Sequence, residues 1–267
     1  MIDGFEVSPF TALGETRDVF ARGEGPPVLV MHEIPGITPE VARFARRVAD
    51  AGFAVAMPNL FGTPGKPFIH SKALGQIARA CVSREFHVLA RRGASPVTDW
   101  LRALCRQLSE DGGGAPVGAI GMCLTGNFAL ALMVDDHLMA PVLSQPSLPF
   151  GVSASHRAAL HVSDEALERV KARCADGARV LGLRFTGDPL VPAARFETLR
   201  RELGDAFEAI EIDSGPGNPH GVAGSAHSVV TLDLVDEEGH PTRAALERVL
   251  SFFDAQLRGS PAPGAPS

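Results

Sequence analysis

Two short and nearly unbroken apolar runs, residues 27–32 (PVLVMH) and 53–57 (FAVAM), limit the possible folds more than any other feature of this chain. A strand with one face in water alternates apolar and polar side chains. A strand with no polar position has to be covered on both faces, as happens in a parallel sheet with helices packed on either side. Further strands are read at 117–122 (VGAIGM), 140–143, 179–186 and 207–213. Stretches with helical spacing separate them, which predicts an α/β fold with a mainly parallel central sheet and helices on both faces.

The helix boundaries carry their own signals. Thr38 can cap a helix that Pro39 opens and that runs to about Ala51, with Gly52 as its stop. Residues 71–90 have helical spacing, with Leu74, Ile77, Ala78, Cys81, Phe86 and Leu89 near one face. Ser95 followed by Pro96 opens a helix to about Leu108, and a new helix is expected directly after Cys123. Residues 146–161 read as irregular. Ser163 caps a helix ending at Gly177, and further helices are expected at 192–203 and 241–257. The 267 residues suit one domain over 1–258, with 62–95 as a lid or substrate-pocket segment and 259–267 (GSPAPGAPS) as a disordered tail.

Composition excludes several functions. The net charge is -6, so a nucleic-acid partner, which needs a basic face, is not expected. The first residues include Asp3 and Glu6 and lack a basic stretch leading into an apolar core, so no secretory signal is expected. The apolar stretch around 129–134 is too short to span a bilayer, and no membrane partner is expected. Cys81, Cys105, Cys123 and Cys174 lie far apart without a CxxC pair, which favours reduced thiols, a cytoplasmic location, and no metal or other cofactor. His32-Glu33-Ile34-Pro35-Gly36 is not HExxH, because Gly36 stands where the second histidine would be.

The sharpest chemical signal is Gly121-Met122-Cys123-Leu124-Thr125-Gly126, which joins a buried strand to a helix. Small residues on either side permit a sharp, strained turn that holds the central side chain out at the carboxyl end of the sheet. A helix N-terminus after the turn would favour a thiolate, and the Leu124 N–H is placed to donate to an oxyanion. The alternative is that Cys123 is one more small buried hydrophobe, the reading given to Cys81, Cys105 and Cys174. A nucleophilic thiol needs a base, and the base needs an orienting acid. Asp188 in Phe185-Thr186-Gly187-Asp188-Pro189 follows a strand, where the acid should lie, although a turn aspartate beside proline is the competing reading. For the base, His227 before the last helix is favoured over His220, whose Asn218-Pro219-His220-Gly221 setting reads as loop or pocket wall. Ile34, after the first buried strand, offers the second oxyanion N–H, and Glu33 would sit near the nucleophile.

These residues resemble the dienelactone hydrolase family of the α/β-hydrolase superfamily. The matching stretches are Val28 to Gly36, Ala51 to Phe61, Gly121 to Gly126, Gly187 to Pro192 and Ala226-His227-Ser228-Val229. The resemblance implies cleavage of a small ester or lactone by a Cys123–Asp188–His227 triad through a covalent acyl-enzyme. Leu124 and Ile34 would form the oxyanion hole, and Glu33 would engage the resting thiol until substrate moves it. Three departures stand out. Thr231 replaces an arginine that holds the substrate carboxylate in the family; Arg79, Arg84, Arg91 and Arg92 are the candidates for a second arginine; and the loop 215–225 is enlarged. Arg84, Phe61, His220 and Thr231 are the substrate-binding candidates, in a monomer or homodimer. A thioesterase or acyltransferase on the same fold, or a hydrolase-like protein that binds without turnover, are the other readings.

Overall fold

The structure, a computed structural model, describes residues 2–68 and 96–259. The helix expected from Ser71, most of the lid segment, the candidates Arg79, Arg84, Arg91 and Arg92, and the tail from 260 lie outside the described residues. Eight strands form one sheet in the order β1-β2-β4-β3-β5-β6-β7-β8. They are β1 (Glu6–Ala12), β2 (Glu15–Arg22), β3 (Pro27–Met31), β4 (Ala54–Pro58), β5 (Val117–Met122), β6 (Leu138–Ser144), β7 (Val180–Phe185) and β8 (Phe207–Ile212). β1 and β2 pair as an antiparallel hairpin and β2 runs antiparallel to β4, while β4 through β8 are mutually parallel.

The apolar runs earn their place by facing two cores. In β3, Val28 and Val30 point to one face, where α1 (Pro39–Asp50) brings Val41, Phe44 and Val48. The C-terminal helix, Pro241–Arg258, adds Val249, Phe252 and Phe253 to that face. Leu29 and Met31 point the other way, against Trp100, Leu101 and Leu104 of α2 (Pro96–Asp111) and Phe196 and Leu199 of the helix Ala193–Leu203. Every side chain of β3 is therefore buried. In chain order the remaining helices are α3 (Phe128–Leu132), α4 (Ala154–Ala158) and α5 (Asp164–Ala175), with α6 at Ala193–Leu203 and α7 at Pro241–Arg258. Thr38 and Ser163 cap as expected, their hydroxyls accepting from Val41 N–H at 3.3 Å and Ala166 N–H at 3.1 Å.

Three expectations need correction. The hairpin β1–β2 was not foreseen; its strands are mostly exposed and carry no apolar run, and its turn uses Leu13 and Gly14 at φ 53° and 79°. The stretch 146–161 is not wholly irregular, since Ser153 caps the short helix α4. No α-helix starts at Cys123 either. A 3-10 turn, Cys123–Thr125, comes first, and α3 begins at Phe128 with only five residues. A helix dipole at the thiol is accordingly weak, and local N–H groups matter more. Among the described residues, no helix is long and apolar enough to cross a membrane.

Candidate active site

The turn at the end of β5 is tight because two glycines permit it. A Cβ on Gly121 would fall 2.0 Å from the Thr125 carbonyl oxygen, and one on Gly126 would fall 2.5 Å from Pro146 Cα. Between them Cys123 adopts φ 55°, a conformation costly for a residue with a side chain, which marks stored strain. Thr125 pins the turn to the sheet: its hydroxyl accepts from Met122 N–H at 2.9 Å and faces the carbonyls of Met31 and His32 at 3.0 and 3.2 Å. Cys123 is thereby held at the carboxyl edge with 8% exposure.

Asp188 follows β7 and serves two partners. One oxygen accepts from Leu190 N–H at 2.9 Å, closing a turn, and the other lies 2.6 Å from His227 Nδ1. The turn contact and the contact to the imidazole are both present. His227 is anchored in turn by Asp233, whose carboxylate accepts from the backbone N–H groups of His227 and Ser228, each at 2.8 Å. His227 Nε2 is buried without an aligned hydrogen-bond partner. Burial opposes a charge on this ring, but the Cys123 sulfur and the Asp188 carboxylate overcome it and hold the imidazole pKa well above its ordinary value. His220, the competing base, is exposed and packs edge-on against His240 at 5.5 Å; Asp188 does not reach it.

The Leu124 and Ile34 N–H groups donate to no protein acceptor among the described residues. Ile34 and Leu124 also belong to a small apolar cluster with Cys123 and Leu148, flanked by Phe61 and Phe150. The segment carrying Leu148 and Phe150 hangs from Arg195, which is fully buried and donates to four carbonyls, those of Ala159, Pro146, Pro149 and His156, at 2.9, 2.5, 2.5 and 3.2 Å. Burial brings this guanidinium down to about 10.

Glu33 is held by three side-chain donors. Its carboxylate is enclosed by Ser228 Oγ at 2.7 Å, Gln145 Nε2 at 3.1 Å and the Thr231 hydroxyl. Burial pushes its pKa up, while the three donors pull the other way. Thr231, a substrate-binding candidate, is fully buried and its hydroxyl bonds the Glu33 carboxylate. Phe61 is half-buried at the edge of the apolar cluster and stacks edge-on with His32 at 4.4 Å. Gln145, Ser147, Ser228, Asp233 and Arg195 escaped sequence reasoning. Only the spacing from His227 to Asp233, an acid returning to cap a backbone turn, was open to detection. A concavity of about 290 Å³ beside α2 and α5, lined by Arg102, Phe128 and Arg169, includes none of Cys123, Asp188 and His227.

Known proteins agree with this geometry at the level of family and fold. The model of the dienelactone hydrolase family matches residues 15–257. A dienelactone hydrolase from Anabaena variabilis superposes with a TM-score of 0.60 at 14% identity, covering 95% of this chain and 98% of that one. The thioesterase domain from the curacin biosynthetic pathway gives 0.58 at 11% identity, covering 93% and 100%. A cold-adapted esterase from an Arctic intertidal metagenomic library gives 0.56 at 14% identity, covering 95% and 94%. At these identities the structural likeness speaks for the α/β-hydrolase fold alone. No curated protein sequence matches the chain.

Proposed function

We propose that this chain, which belongs to the dienelactone hydrolase family, cleaves a small ester or lactone with Cys123 as nucleophile, His227 as base and Asp188 as orienting acid. The observation that carries the reading is the 2.6 Å contact from Asp188 to His227 Nδ1, on an imidazole near enough to the strained cysteine for its sulfur to raise the ring's pKa. Nδ1–H donates to Asp188, which leaves Nε2 as the basic nitrogen.

In the proposed reaction Nε2 takes the thiol proton and the thiolate attacks the carbonyl carbon. The oxyanion is received by the N–H groups of Leu124 and Ile34. Collapse of the adduct breaks the ester bond, and the imidazolium returns its proton to the leaving alkoxide. The same nitrogen then draws a proton from water, which attacks the thioester; the C–S bond breaks, the acid leaves, and the imidazolium returns the proton to the sulfur. Proton transfer is direct in this scheme, because Glu33 is occupied by Ser228, Thr231 and Gln145. Ile34, Leu124, Leu148, Phe61 and Phe150 offer an apolar wall, and Thr231 offers no cation, which favours a neutral acyl group over a carboxylate-bearing one.

The test is a panel of aryl esters, lactones and thioesters with wild type and Cys123→Ala. Hydrolysis of one class, lost by at least about a thousandfold in the variant, supports the reading. Undiminished turnover by the variant refutes it.

A further inference from the structure

We infer that Ser147 is a further catalytic residue, a hydroxyl that turns onto the Cys123 sulfur as the thiolate forms. This rests on the reading of Cys123 as nucleophile. Ser147 lies three residues past the end of β6, is fully buried, and brackets the cysteine at two points. Its N–H donates to the Cys123 carbonyl at 2.9 Å, and its Oγ lies 3.5 Å from Sγ. The same Oγ lies 3.1 Å from the Gln145 carbonyl. One proton has two acceptors, so the hydroxyl is a rotor with two settings.

The approach to this position is built tightly. Gln145 takes φ 36°, and Pro146 packs so close to the nucleophile turn that only glycine fits at 126. Arg195 holds the Pro146 and Pro149 carbonyls on either side, each at 2.5 Å. A serine so constrained cannot leave the sulfur.

While the cysteine is a thiol, the Gln145 carbonyl is the better acceptor. Once Nε2 of His227 has taken the thiol proton, the sulfur carries the charge and the Ser147 O–H turns to it. No bond to oxygen breaks and the serine keeps its proton. A hydrogen bond made to the charged form alone favours that form, and the hydroxyl can stay with the carbonyl once sulfur is acylated. Among the described residues, the titratable groups about this sulfur are few. They are His227 from the loop after β8, Asp188 behind it from the turn after β7, and Glu33 from the loop after β3, tied to other donors.

The experiment is the pH dependence of iodoacetamide alkylation of Cys123, followed by peptide mass spectrometry, in wild type, Ser147→Ala, Ser147→Gly and Ser147→Thr. Removing the hydroxyl should raise the apparent alkylation pKa by about one unit, a tenfold smaller thiolate fraction at lower pH, and the threonine should restore it. With an ester found in the panel above, kcat should fall about tenfold with KM nearly unchanged. Ser147→Gly serves if the alanine does not fold. An alkylation profile that superimposes on wild type overturns the inference. Because alkylation needs no substrate, it reads Ser147 even if Cys123→Ala keeps full esterase activity and the hydrolase proposal fails.

Discussion

His32 offers a stability test whose size follows from its surroundings. The side chain is fully buried; its Nε2 accepts from Leu60 N–H at 3.0 Å, and its Nδ1 lies 3.1 Å from the Glu33 carbonyl. Only the neutral ring, with the proton on Nδ1, satisfies both contacts, since a second proton would face the Leu60 N–H. Burial is the largest cause, and it lowers the pKa from 6.5 to about 4. The unfolded chain therefore binds a proton near pH 6.5 that the folded chain refuses until about pH 4. Stability from this group is complete above 6.5 and falls with acid, by about 2 kcal/mol at pH 5 and about 3 kcal/mol once the pH is below 4. The perturbation is His32→Gln, whose amide can donate and accept but does not titrate. Urea unfolding followed by circular dichroism at pH 7, 6, 5 and 4 gives the difference between variant and wild type. Contributions common to both, including those of His227 and Glu33, cancel in that difference. The variant should start less stable at pH 7 and close on wild type as pH falls. A difference that stays flat with pH would refute the linkage, and with it the claim that His32 is held neutral.

Two further outcomes follow from the same neighbourhood. Burial raises the Glu33 pKa above 4.5, so the folded state keeps that proton longer than the unfolded state and its contribution declines as pH rises above 4.5. Glu33→Gln should flatten that decline in urea unfolding between pH 5 and 8, and an unaltered slope would count against it. Gly126→Ala puts a Cβ 2.5 Å from Pro146 Cα, a backbone atom that cannot swing aside, so roughly 3 kcal/mol of destabilisation is expected, read as a lower urea midpoint. A midpoint equal to wild type would mean that the turn and the 146 segment can separate freely.

The elements with two buried faces were legible, and the others were not, for a physical reason. β3, β4 and β5 have cores on both sides and unbroken apolar runs in sequence, and in β7 Arg184 alone interrupts the run. β1 is the sheet's edge strand with five exposed residues of seven, β2 lies next to it, and their alternation is too weak to distinguish from loop. Cys123, Asp188 and His227 were legible because each requires a residue type at a known point of a strand-to-helix connection. The supports were not. Gln145 and Ser147 touch Glu33 and Cys123 across 112 and 24 residues, and neither residue type signals such a partner in sequence. Arg195 reads in sequence as a surface helix charge, yet it is fully buried, because what it satisfies is a loop's carbonyls rather than an acid.

The arrangement has a common cause. Glu33, Cys123, Gln145 with Ser147, Asp188 and His227 follow β3, β5, β6, β7 and β8 respectively, always on the carboxyl side. Parallel strands bring all their carboxyl ends to one edge, so residues scattered over almost 200 positions converge without any long-range signal between them. Two of the strained positive-φ residues, Cys123 at φ 55° and Gln145 at φ 36°, stand at the ends of adjacent strands. If strain on one strand end positions the sulfur and strain on the next positions its hydroxyl partner and the carboxamide on Glu33, nucleophile and carboxylate are coupled through the β5–β6 ladder. The proposed chemistry at this edge then depends on the register of two strands as much as on Cys123, Asp188 and His227.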